Sequence, residues 1–191
     1  MNTVSVSFFE GRTEDVARRL LGAVLLHESR EGIAAGRIVE TEAYLHDDPA
    51  AHSFRGKTQR NASMFLGAGH AYVYLIYGVH HCFNVVTNDA GVGEAVLVRA
   101  LEPVEGIELM AQRRGTDVVR QLCSGPGKLV QALGITREHD GVSLLCPELR
   151  ICEPTTRSSE PIVSAKRIGI TKAAEEELRF YLKGNPHVSR Q

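Results

Sequence analysis

The sequence predicts an α+β fold: a single domain over residues 1–191, built on a curved, largely antiparallel β-sheet with short flanking helices and a protruding β-hairpin. Three observations predict this fold. Apolar runs of strand length recur along the chain, and several alternate with polar residues. Helical patterns are few and short. The length of 191 residues is that of one domain.

Three short helices are predicted. The first has Thr13 as a favourable N-cap, acidic residues in its first turn, and Gly22 at its end. A Gly-Pro turn opens the third, and a glycine stops it. The helices are expected at 14–22, at 104–113, and within GPGKLVQALGI up to Gly134.

Strands are predicted where apolar residues run continuously or alternate. The segments 71–77 and 82–88 form the clearest hairpin, with Gly78 at the bend. Residues 171–182 remain ambiguous between helix and strand. Further strands are expected at 23–28, 33–45, 94–101, 142–145, 149–151 and 165–170.

A long polar loop is predicted at 46–63. Compact domains rarely carry so long an irregular segment without a functional reason. Part of it, 52–61, contains basic residues and no acidic ones, and 179–190 is a second basic stretch. Either could contact phosphate, although a solvated loop is the simpler explanation. The net charge of -1 does not by itself indicate a nucleic-acid-binding protein.

The absence of membrane and secretory signals in the sequence, together with its cysteine spacing, indicates an intracellular protein. No apolar run is long enough to span a membrane, and the N-terminus lacks the pattern of a secretory signal. The cytoplasm is therefore the expected location, with nucleoid association if the protein is bacterial. The four cysteines lack metal-ligand spacing and are expected to be reduced and mostly buried.

The segment GRIVETEAYL raises the question of catalysis. As a strand it places Glu40, Glu42 and Tyr44 on one face. A solvated sheet face would explain this pattern, and so would a pair of carboxylates that share acid and base work. Arg99 lies among apolar residues in AVLVRAL, which favours a partly buried guanidinium paired with one of these glutamates.

The predicted hairpin contributes aromatic and polar candidates. Tyr72 and Tyr74 share a face, while Tyr77 precedes the bend, where an exposed aromatic side chain could insert between DNA bases. Asn84, in an apolar strand, is either a satisfied core amide or a residue that discriminates among ligands in a pocket. No residue spacing supports a metal site, because adjacent residues such as His80 and His81 point apart on a strand.

Six ordered segments together carry a family resemblance. They are VETEAYL followed by AAHS, then QRNASMF, AYVYLIYGVHHCFN, VLVRALEPVEG, LCSGPGKLVQAL and RFYLKGNPHVS. From about residue 8 to residue 190 the chain resembles the alkyladenine (methylpurine, 3-methyladenine type) DNA glycosylases. The resemblance implies hydrolysis of the N-glycosidic bond of damaged purines in double-stranded DNA, without a metal or organic cofactor. A monomer is the default expectation.

The resemblance also implies roles for residues of the predicted strands. Glu42 would be the general base that activates water, held with the help of Arg99 and the backbone carbonyl of Ile168. Glu40 would have no catalytic role. Because Arg99 would keep the carboxylate ionised, acidification should slow base release.

The remaining roles implied by the resemblance concern the flipped nucleotide. Tyr44, His52 and Tyr74 would line the base pocket, and Asn84 would exclude normal guanine. Tyr77 would fill the gap left in the duplex. Two alternatives remain open: a non-catalytic nucleic-acid-binding module on the same scaffold, and a hydrolase of free nucleosides, which would need neither Tyr77 nor the basic loops.

Overall fold

One antiparallel β-sheet organises the protein. The computed structural model describes residues 1–76, 78, 80–154 and 159–190. Within these residues eight strands join in the order β3-β4-β5-β2-β1-β6, and β8 pairs with both β2 and β7. The strands are β1 (Val24–Ser29), β2 (Gly32–Tyr44), β3 (Ala71–Ile76), β4 (His80–Thr87), β5 (Glu94–Glu105), β6 (Leu149–Cys152), β7 (Ile162–Ala165) and β8 (Arg179–Leu182).

Strand β2 is the centre of the sheet. Along one edge it pairs with β5, and along the other with β1 in its first half and with β8 at Glu40–Glu42. Shifts in the register with β5 interrupt the pairing on either side of Glu40, and such bulges bend a strand. At Gly36 the sheet tolerates only a glycine, because an added Cβ would lie 2.8 Å from the Leu101 Cβ.

Short helices cover one face of the sheet and complete the core. They are α1 (Thr13–Leu20), α2 (Ile107–Arg114), α3 (Val119–Leu122) and α4 (Pro126–Leu133), with 3₁₀ turns at Val6–Phe9, Ala62–Phe65 and Arg137–His139. Helix α1 buries Val16, Ala17 and Leu20 in the main apolar cluster. Helix α4 buries one apolar face, which includes Leu129 and Leu133, in the same cluster.

The predicted α+β class and antiparallel sheet are confirmed, and several local predictions are wrong. Thr13 is the first helical residue and not the cap, because its buried hydroxyl donates instead to Glu94 Oε2 at 2.5 Å. The second helix starts at Ile107, since Val104 and Glu105 still belong to β5.

Two predicted late strands are also wrong. Residues 142–145 form only isolated bridges at Ser143 and Leu145. The segment 165–170 leaves the sheet after Ala165, and the ambiguous segment 171–182 ends in β8.

The cysteine prediction is confirmed: all four thiols are free, and Cys82, Cys123 and Cys152 are buried. In the described ranges, the helices are all too short or too polar to cross a membrane.

Candidate active site

Glu42 is fully buried near the end of β2, with an exposed fraction of 0%. Its Oε1 accepts a hydrogen bond from the backbone N–H of Ile168 at 2.8 Å and lies 3.2 Å from Nη1 of Arg99. Its Oε2 accepts from the Tyr44 hydroxyl at 2.9 Å. These groups all present hydrogen to the carboxylate, an arrangement that suits an acceptor. The carboxylate is therefore fixed in one orientation.

Glu40 is buried on the same strand but has different partners. Its Oε1 accepts from Nε of Arg179 at 2.6 Å, and its Oε2 accepts from the Ser189 N–H at 2.7 Å. Nε of Arg99 lies 3.4 Å from Glu40 Oε1, so Arg99 bridges the two carboxylates. The solvated-face interpretation of GRIVETEAYL is wrong, because Glu40 and Glu42 are both 0% exposed. The predicted pairing of Arg99 is confirmed with both glutamates.

A cavity of about 220 Å³ lies close to Glu42, which is not itself one of its lining residues. It reaches the Glu42 partners Arg99, Tyr44 and Ile168, and it also contains the predicted pocket residues. The described residues that line it are Tyr44, Ala50, His52, Met64, Tyr72, Tyr74, Ile76, Cys82, Asn84, Leu97, Arg99, Pro126, Ile168, Gly169 and Ile170. The structure thus brings together the residues that the resemblance implied, apart from Tyr77, which lies outside the described residues.

An aromatic wall forms one side of this cavity. The ring centroids of Tyr72 and Tyr74 are 5.3 Å apart, and those of His52 and Tyr74 are 4.5 Å apart. His52 Nδ1 shares a 2.8 Å hydrogen bond with the Tyr72 hydroxyl. These contacts hold the rings at fixed angles, so that the cavity offers a flat ligand preformed faces on which to lie.

Burial keeps the aromatic groups of the cavity uncharged. It raises the pKa of Tyr72 to about 12 and raises the pKa of Tyr74 further above the ordinary value. The pKa of Tyr44 is also raised by burial, and the negative charge of Glu42 adds to the effect. Burial lowers the pKa of His52, and so does the charge of Arg60. At neutral pH the wall therefore presents neutral rings, with Tyr44 able to donate to Glu42.

Asn84 is both anchored and accessible to the cavity. It pairs with Tyr72 across β3 and β4, and its amide donates to the Tyr72 carbonyl at 2.9 Å. The residue is buried but lines the cavity. Both alternatives considered for it are thus compatible with its position, because the anchoring fixes the orientation of a polar group at the cavity wall.

The predicted polar loop, 46–63, is irregular as far as the 3₁₀ turn, and it folds around Asn61. The Asn61 side chain accepts from the Thr58 N–H at 2.6 Å and donates to the carbonyls of His52 at 2.8 Å and Gly56 at 3.1 Å. These bonds place His52 at the cavity. The basic side chains of this loop are exposed, and Arg60 donates to the Leu75 carbonyl at 3.3 Å.

Sequence reasoning missed a further buried ion pair beside the site, between Arg167 and Asp48. Arg167 also donates to the Ala43 carbonyl at 3.0 Å, and its guanidinium carbon lies 4.7 Å from the Tyr44 ring centroid. Arg167 lies in an irregular segment, where no periodicity marks a buried face. Only its place next to Ile168, a predicted site residue, in the segment KRIGI could have indicated that Arg167 lies near the site.

The contact of Ile168 with the site differs from the one implied by the resemblance. Its N–H group donates to Glu42. A role of its carbonyl in holding water stays a prediction. Across the described parts of the chain, no three His, Cys, Asp or Glu residues are grouped so that they could hold a metal ion.

The fold and the site together define an enzyme in which a buried carboxylate adjoins a small aromatic cavity. The family model for methylpurine-DNA glycosylase (MPG) matches residues 7–186. The chain belongs to this family. It is accordingly a DNA glycosylase, an enzyme of DNA repair whose substrate is DNA.

Whole-chain relatives agree with this assignment. A protein of Methanoculleus marisnigri, named "Putative 3-methyladenine DNA glycosylase", is 57% identical over 192 residues, which cover 99% of this chain and 100% of the relative. A protein of the same name from Nitrosospira multiformis is 49% identical, covering 95% of this chain and 91% of its own length. One from Rhodopseudomonas palustris is 53% identical, covering 95% and 88% respectively. The predicted family resemblance is confirmed.

Proposed function

We propose that the protein hydrolyses the N-glycosidic bond of alkylated purines in double-stranded DNA, with 3-methyladenine and 7-methylguanine as substrates and hypoxanthine as a further candidate. The nucleotide is flipped into the aromatic cavity, and Glu42 activates the attacking water. The observation that carries the proposal is the environment of Glu42: a buried carboxylate held by Tyr44, Arg99 and Ile168, all three of which line a cavity with neutral aromatic rings.

Flipping is required because a base stacked in a duplex cannot reach a buried carboxylate. Extrusion costs a few kcal/mol, and less at a damaged base. Tyr77 is assigned to the gap left in the duplex because in the sequence it directly precedes Gly78, between the segments of β3 and β4. The exposed basic residues Arg55, Lys57 and Arg60 are assigned to the phosphate backbone.

The chemistry needs one general base. As the bond from C1′ to the purine nitrogen breaks, its electron pair leaves with the base and the sugar gains oxocarbenium character. Water adds to C1′ and gives its proton to Glu42, whose negative charge also stabilises the cation. A purine alkylated at N3 or N7 is cationic and departs as a neutral molecule, so a second carboxylate acting as an acid is unnecessary.

A direct water mechanism makes the enzyme monofunctional. Among the described residues that line the cavity there is no lysine, so none of them offers an amine that could form a Schiff base with the sugar. We therefore expect base release without cleavage of the DNA strand. Glu40 has no chemical role, because its partners are Arg179, Ser189 and Arg99.

Selectivity for alkylated purines comes partly from the aromatic wall. The neutral faces of Tyr44, Tyr72 and Tyr74 attract a cationic ring by about 0.5–2 kcal/mol. The weak glycosidic bond of the damaged nucleotide supplies the remaining preference. Asn84 disfavours guanine by leaving its 2-amino group without a partner or in a clash. 7-Methylguanine carries the same 2-amino group, but its positive charge and weak glycosidic bond offset this cost. A neutral lesion such as hypoxanthine would depend on hydrogen bonds instead.

The decisive experiment is incubation of the protein with a methylated DNA duplex, followed by identification of the released bases. The wild type should release 3-methyladenine and 7-methylguanine and leave the strand intact. Glu42→Gln should bind the duplex but release no base. Glu105→Gln, at an exposed position near the end of β5, is the control and should behave as the wild type.

The alternatives predict other results. A non-catalytic binding module would release nothing in any variant. A nucleoside hydrolase would act equally on free nucleosides and would be insensitive to salt, whereas affinity for a duplex should fall steeply with salt. Size measurement in solution, with and without the duplex, tests the further proposal that the enzyme is a monomer.

A further inference from the structure

We propose that Arg167, paired with Asp48, is a positioning residue that sets the orientation of Glu42 through both Ile168 and Tyr44. The inference rests on the proposed function, because it assigns Arg167 a part in holding the general base. Arg167 touches neither water nor substrate in this proposal. It acts through the two groups that donate hydrogen bonds to the carboxylate.

The Arg167–Asp48 pair is built into the interior. Both side chains are almost wholly buried, with exposed fractions of 0% and 1%. Arg167 Nη1 donates to Asp48 and to the Ala43 carbonyl, and Nη2 donates to the Ala173 carbonyl at 3.4 Å. Burying a guanidinium is expensive unless its donors are used, so these partners dictate where the side chain lies.

The first effect of Arg167 is on Ile168. The segment 166–178, between β7 and β8, has no helix or strand of its own. Its backbone is therefore not fixed by a ladder of hydrogen bonds where it passes the site. Arg167 ties this segment to the end of β2 and to the loop that follows β2, one residue before the N–H that contacts Glu42. A shift of Arg167 would move that N–H directly.

The second effect is on Tyr44. The Arg167 guanidinium carbon lies 4.7 Å from the centre of the Tyr44 ring, in a cation–π contact. The hydroxyl of the same ring donates to Glu42 Oε2 at 2.9 Å. Arg167 therefore supports donors to both carboxylate oxygens. Without it, the ion pair with Arg99 would be the main remaining restraint on Glu42 among the described residues.

Loss of this support should reduce the chemical step more than DNA binding. Small displacements of a catalytic group can lower the rate on the order of 100-fold. Arg167→Lys keeps a charge opposite Asp48, but lacks the planar group that lies over Tyr44 and has fewer donors in fixed directions. Arg167→Met removes both the charge and the directed hydrogen bonds.

The test is base release from a methylated duplex under single-turnover conditions, alongside binding to a duplex that carries a tetrahydrofuran abasic analogue. The rate should fall about tenfold in Arg167→Lys and about 100-fold in Arg167→Met, with affinity for the abasic duplex unchanged. Thermal unfolding sets an assay temperature at which each variant is folded. If Arg167→Met does not fold, Arg167→Lys and Asp48→Asn decide the question.

Arg113→Met is the matched control. Arg113 also joins a carboxylate, Glu31 at 2.6 Å, to a backbone carbonyl, that of Ala132 at 3.1 Å, and neither partner lines the cavity. This variant should lose stability but keep its rate. The inference is overturned if folded Arg167 variants match the wild type, if only their DNA affinity falls, or if Arg113→Met is slowed equally. A wild type that releases no base would instead contradict the proposed function.

Discussion

Glu40 and Glu42 lie two residues apart on one buried strand, and the structure predicts opposite consequences for their loss. Glu40→Gln removes the negative charge that faces Arg179 at 2.6 Å and Arg99 at 3.4 Å. The Ser189 N–H donates to Glu40 at 2.7 Å, and in the variant it could donate only to the side-chain amide oxygen of the new glutamine. We expect a large loss of stability with little direct effect on the chemistry.

The magnitude follows from the charges in this cluster. Glu40, Glu42, Arg99 and Arg179 balance to zero, and each side chain is at most 10% exposed. Glu40→Gln leaves an uncompensated positive charge in the interior. Breaking a buried pair in this way costs about 3–5 kcal/mol. For a chain of this size, the melting temperature should fall by about 6–20 °C.

Urea unfolding of the wild type, Glu40→Gln and Glu42→Gln measures the stability effect, and single-turnover base release at a permissive temperature measures the chemistry. Glu40→Gln should be less stable than the wild type but retain most of its rate, because the partners of Glu42 remain in place. Glu42→Gln should be inactive. A Glu40→Gln variant that loses less than about 1 kcal/mol, or that is as inactive as Glu42→Gln, would refute this account of the cluster.

Two further predictions concern single groups. Tyr44→Phe removes the hydroxyl that donates to the Glu42 carboxylate and keeps the ring. If Glu42 is the general base, single-turnover base release should slow by about tenfold to 100-fold, the worth of a hydrogen bond to a charged group, and an unchanged rate would show that this bond does not matter. Burial lowers the pKa of His27 below the ordinary value of 6.5, so the unfolded chain takes up this proton at a higher pH than the folded protein does. Stability should therefore decline as the pH falls below 6.5, and urea unfolding should show a shallower decline in His27→Gln; equal slopes in the two proteins would contradict the assignment.

The sheet was predictable because its main strands carry their own signals. Apolar runs at 71–77, 82–88 and 94–101 each coincide with an observed strand to within a few residues. Such continuous runs reflect strands that are buried on both faces, as β5 is over its first eight residues, whereas burial of one face gives a period of two. Helix α4 was equally visible, since Pro126 opens it and Gly134 ends it.

Long-range contacts explain what could not be predicted. Thr13 has the sequence of a cap, but its hydroxyl is used by Glu94, 81 residues away. The segment around Arg167 follows no secondary-structure period, because its position is set by Asp48 and Glu42 from β2 and the loop after it. Short polar and charged side chains in irregular segments carry no record of their distant partners.

The edge of β2 that pairs with both β1 and β8 has a consequence for the folding of the newly synthesised chain. The second half of this strand is paired by β8, and Glu40 is held by Ser189, which is 149 residues further along the chain. A nascent polypeptide can therefore form the β3–β4 hairpin early, but the cavity needs residues 168–170 and the second half of β2 needs its partner β8, so both wait until nearly the whole chain has been synthesised. Newly translated enzyme should thus acquire activity only at the last stage of its maturation.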